Sequence, residues 1–80
     1  MSARKAALIE AADFAEFYAE ERMRLCTDTI LHDPILNGEP WTNENFERSR
    51  QSTIDGTINS AAYHAAMNIA SHLRDLASDA

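Results

Sequence analysis

Five carboxylates, Glu10, Asp13, Glu16, Glu20 and Glu21, fall between Ala6 and Glu21 with no basic residue among them. Carboxylates at that density on one helix can hold a divalent cation, move protons, or present a negative field to a basic partner. The first two uses need a complementary cluster on a neighbouring element. The stretch from Gln51 to Leu76 offers only Asp55 and Asp75, which are out of helical register with each other. The third use needs no second cluster, and Phe17 favours it. On a helical wheel Phe17 lies within the acidic face, flanked by Glu10, Asp13, Glu20, Glu21 and Arg24. A large aromatic inside a charged ring is the composition of an interface anchor with a polar rim. The alternative is that Phe17 packs on a second helix or at a dimer seam while the acids solubilise the chain. The expected partner-binding set is Glu10, Asp13, Glu16, Phe17, Glu20 and Glu21.

Other chemistries lack parts. His32, His64 and His72 are the only histidines, and none has a His, Cys or Glu four residues on, so no metal site is expected. Cys26 is the single cysteine; it stands in an apolar helical stripe, where a thiol is usually inert, and it excludes an internal disulfide framework. Two glycines 18 residues apart cannot build a phosphate-cradling loop, and no Gly-x-Ser-x-Gly elbow occurs. No cofactor and no catalytic residue is expected; the chain reads as a non-enzyme. Direct DNA binding is disfavoured as well. The net charge is −6, and Ile58 to Met67, the segment that would follow Gly56 in a helix-turn-helix, contains no Arg or Lys.

The elements that position these residues read as helices. Of the 36 hydrophobic residues 14 are Ala, Val is absent, and only two Gly and two Pro occur in 80 residues, which argues against an all-β domain. From about residue 3 to 32 strong helix formers run without Gly or Pro. Ala7, Ala11, Phe14, Tyr18 and Leu25 share one stripe; Leu8, Ala12, Ala15, Ala19, Met23, Cys26 and Ile30 form another beside it. Together they cover about half the circumference, more than the ~100° of an ordinary surface helix, so this helix should meet more than one neighbour.

Asp33 before Pro34 marks the helix end. A connector over 33–42 contains the turn pair Asn37-Gly38, and its apolar Ile35, Leu36 and Trp41 are expected to fold over the bundle end. Thr42 is a candidate N-cap for the next helix, with Trp41 and Phe46 at hydrophobic-staple spacing. Downstream, Ile54, Ile58, Ala61, Ala62, Ala65, Ile69, Leu73 and Leu76 read as the core stripe, with Asp55 inside it, and Tyr63, Met67 and Ala70 as a second strip, a homodimer or intra-bundle contact taken here as a dimer interface. Asp55-Gly56 suggests a kink or break near residues 55–57, with Thr57, Asn59 or Ser60 capping a new start, or at the extreme a small β-hairpin.

The sequence therefore predicts a single all-α domain over 1–80. It is an antiparallel helical hairpin with a long first helix and a kinked or split second one, dimerising into a four-helix-type bundle. The expected function is a small acidic protein-binding module, an inhibitor or adaptor that occludes a basic surface on a larger protein. Its size and charge suit a phage or mobile-element inhibitor of a host nucleic-acid-handling or regulatory protein. The alternative is a non-catalytic assembly subunit forming a homo-oligomeric bundle. The start of the chain lacks the apolar stretch of a signal peptide, and no run is long enough to span a bilayer, so a cytoplasmic location is expected.

Overall fold

A computed structural model describes residues 2–79 as two helices, α1 (Ala3–Leu31) and α2 (Asn43–Ser78), running antiparallel. The start of α1 is fixed by Ser2, whose hydroxyl accepts from the Lys5 amide at 3.0 Å. Thr42 caps α2 as expected, accepting from the Asn45 amide at 3.1 Å. The staple forms too: Trp41 and Phe46 meet edge to face with ring centroids 5.6 Å apart.

Between the helices the chain makes one tight, doubly capped turn. Asp33 Oδ1 accepts from the amides of Ile35 and Leu36, and Pro34 follows it, a residue suited to the first position of a turn because it has no N–H to satisfy. At the other end Gly38 takes φ +78°, its amide donating to the Ile35 carbonyl and the Glu39 amide to the Pro34 carbonyl. That pair of bonds is the Schellman closure, which needs a left-handed residue at Gly38. Leu36 and Trp41 do not fold over the bundle end as expected; both stay exposed, and only Ile35 is half-buried.

The seam between the helices follows 3-4 spacing on both sides. On α1, Leu8, Ala12, Ala15, Ala19, Arg22 and Cys26 are all buried or half-buried; on α2 so are Asn59, Tyr63, Ala66, Ala70, Leu73 and Ala77. An average period of 3.5 residues keeps one narrow stripe of each helix against its neighbour along the whole length. The stripe is built of small residues. Among the described residues every buried hydrophobic side chain is an alanine: Ala12, Ala19, Ala66, Ala70 and Ala77. The result is a rod of 59 × 13 × 13 Å. Its radius of gyration is 17.9 Å, whereas a compact chain of this length would have about 12 Å.

Two expectations are corrected. First, α2 is not split: it runs from Asn43 to Ser78 as one helix, with no hairpin. Thr57 donates its hydroxyl to the Thr53 carbonyl, and Asn59 accepts from Arg22, instead of capping a new helix. Gly56 costs about 1 kcal/mol relative to Ala in a helix interior. That penalty is too small to break a long helix held by its neighbour. Second, most of the stripe read as the core of α2 faces outward: Ile54, Ile58, Ile69 and Leu76 are exposed, and only Ala62 and Leu73 are half-buried. Of the second strip, Ala70 is buried, with Tyr63 and Met67 half-buried beside it. Small residues won the seam because they allow the closest backbone approach, and the bulky stripes were displaced to its flank.

Candidate protein-binding ridge

Most acidic residues of α1 lie on the side turned away from α2, with Glu16 at the flank of the seam. The ridge directly opposite the seam carries Glu10, Phe17 and Arg24 at seven-residue intervals, two helical turns apart. Phe17 is 63 % exposed. Glu10, Asp13 and Glu20 are exposed around it, while Glu16 and Glu21 are half-buried.

The five acids are not equivalent. Arg74 of α2 reaches across the seam and holds two of them: its Nη2 lies 2.8 Å from Asp13 Oδ1 and 2.9 Å from Glu16 Oε2, and its Nε donates to Glu16 Oε1 at 3.1 Å. The hydrogen bonds to Glu16 and Asp13 raise the guanidinium further above its already high pKa. Glu21 accepts from Arg24 Nη2 at 2.8 Å, and that bond holds its carboxyl below the usual range. Glu10 and Glu20 make no ion pair among the described residues. The free negative charge is thus concentrated on either side of Phe17, at Glu10 and Glu20, and the other three acids are partly neutralised by the fold. Sequence reasoning grouped all five and missed Arg74, whose reach depends on the helix register.

A second feature lies beside the connector. Because α2 carries Ser52, Gly56 and Ser60 there, the helices leave an open groove of about 500 Å³ bordered by Cys26, Ile30, Asp33 and His64. Its polar groups are largely engaged by the fold. The Cys26 thiol donates to the Gly56 carbonyl at 3.4 Å, and Asp33 Oδ2 accepts from the Ser49 hydroxyl at 3.0 Å. Asp33 is 4 % exposed. Burial pushes its carboxyl upward, but the bonds from Ser49, Leu36 and Ile35 outweigh that and leave it below its ordinary value.

Deeper in the seam, Arg22 Nη1 donates to Asn59 Oδ1 at 3.4 Å and its guanidinium lies 4.7 Å over the Tyr18 ring. Its Nε is buried without a partner. This polar layer disfavours sliding of the helices past one another, the role such layers play in coiled coils.

Among the described residues no three His, Cys, Asp or Glu side chains converge as metal ligands, and no helix is long and apolar enough to cross a membrane. Comparison with protein-family models, with curated proteins and with solved structures returns no match for this chain.

Proposed function

We propose that this chain is a non-catalytic protein-binding module, an inhibitor or adaptor whose α1 ridge occludes a basic surface on a larger protein. The observation that carries the reading is Phe17: it stands 63 % exposed on the side of α1 that the fold does not use, between two unpaired carboxylates. An exposed phenylalanine contributes nothing to a two-helix seam, whereas an aromatic anchor in a charged rim is what a protein interface uses. Glu10 and Glu20 would steer the encounter, and the ring would hold the complex.

The test is a binding measurement with the purified partner at low and high salt. The association rate should fall steeply as salt rises, because screening weakens the steering. The combined variant Glu10→Lys, Glu20→Lys, Phe17→Ala spares the acids that Arg74 holds. It should lose capture while keeping its helical circular dichroism. Wild-type affinity in that variant would defeat the reading.

A second reading, an assembly subunit of a homo-oligomeric bundle, is favoured by the apolar residues left uncovered on another face. There the acids would only keep the chain dissolved, and assembly would be insensitive to salt.

A further inference from the structure

We infer that the flank of the hairpin carrying Phe14 and Ile69 is the contact face of a homodimer, covered by a second copy of this chain. This goes beyond the ridge reading, because it concerns a different face and does not depend on any other partner. The face is two helices wide. Phe14 and Tyr18 of α1 stand beside Ala62, Ala65 and Ile69 of α2 around an apolar groove of about 320 Å³. By helical periodicity Ala7 and Ala11 extend it on α1 and Ile58 on α2. Phe14 is 72 % exposed, and Ile58 and Ile69 are more than half exposed.

Three observations point to a second copy as the occupant. The first is area. The chain exposes 5691 Å², whereas a folded monomer of 8.9 kDa exposes about 4,800 Å². The excess of about 900 Å² is close to the roughly 800 Å² that each partner buries in a stable interface of standard size.

The second is charge. The positions from Ala7 to Tyr18 and from Ile58 to Ile69 on this face carry no formal charge, in a chain whose net charge is −6. Two like-charged copies meet with least repulsion through such an uncharged stretch. A basic partner would find no complementary group there.

The third is shape. A two-fold contact presents the same patch from both sides, so it must carry its own knob and its own hole. Phe14 and Tyr18 are the knobs, and the groove floored by Ala62 and Ala65 next to them is the hole. Closing that contact turns two hairpins into a four-helix bundle and supplies the bulky core that the alanine seam lacks.

Sedimentation equilibrium tests this. The 80-residue wild-type chain should sediment at twice its 8.9 kDa mass. Ala65→Arg places a good helix former at an exposed site, so the hairpin keeps its own seam, and it should weaken the dimer by about 30-fold or more. Phe14→Asp should do the same, while Leu31→Gln, an exposed apolar residue on the outer ridge, should leave the mass unchanged. A wild-type mass other than two chains overturns the proposal. So does a dimer that persists in both Ala65→Arg and Phe14→Asp, or one that Leu31→Gln also dissociates. A helical wild-type monomer that still binds a basic partner through Phe17 would overturn the dimer and leave the ridge reading standing.

Discussion

At the scale of single residues, Asp33 does the most with one side chain. One carboxylate oxygen caps the turn that begins at Pro34, and the other accepts from Ser49 on α2, so the end of α1, the connector and the start of α2 are tied at one point. Its folded pKa lies below the ordinary value, so its contribution is fully present at neutral pH and is lost as pH falls from about 4 through the folded pKa. We therefore expect acid to lower the thermal midpoint of the wild type. Asp33→Ala should lower it strongly at pH 7 but leave it closer to that of the wild type at pH 3. Melting curves of both proteins at the two pH values check this; an equal difference at both would mean that the charge on Asp33 is irrelevant.

At the scale of elements, the second helix owes its continuity to its neighbour. Gly56 has ordinary helical backbone geometry, and a β-carbon added there would meet only Cys26 Sγ, at 3.9 Å, an ordinary contact. Gly56→Ala should therefore stabilise the protein, by about 0.5–1 kcal/mol in a urea titration, through reduced chain entropy alone. Destabilisation would show that the approach of Cys26 needs the bare backbone. The local signals in the sequence were readable: Asp33-Pro34 as a stop, Thr42 as a cap, Trp41 and Phe46 as a staple, since each involves residues a few positions apart. The choice of seam was not readable in the same way. The Ala12–Ala19 stripe and the Phe14–Tyr18 stripe are adjacent on the wheel, and hydrophobicity alone ranks the bulkier one first. Which stripe faces the other helix is decided by how closely two backbones can approach, and only the pairing of Cys26 with Gly56 and Arg22 with Asn59 reveals it. The acidic ridge was legible as a group, but the division between held and free carboxylates depended on Arg74 arriving from residues far along the chain.

At the scale of the whole molecule, a 59 Å rod with an alanine seam has little of its own to resist unfolding. If two rods share their apolar flanks, stability becomes a function of concentration. Dilution should lower the thermal midpoint of the wild type, and a midpoint independent of concentration over a hundredfold range would argue for a self-sufficient hairpin. The optical probe for such work needs care. The chain has one tryptophan, Trp41, 76 % exposed at the connector pole and edge to face with Phe46. Its emission is a local reporter of the hinge. It will register fraying of the α2 cap, yet stay silent when something docks or departs at the opposite pole, so a flat fluorescence trace there is no sign of inactivity.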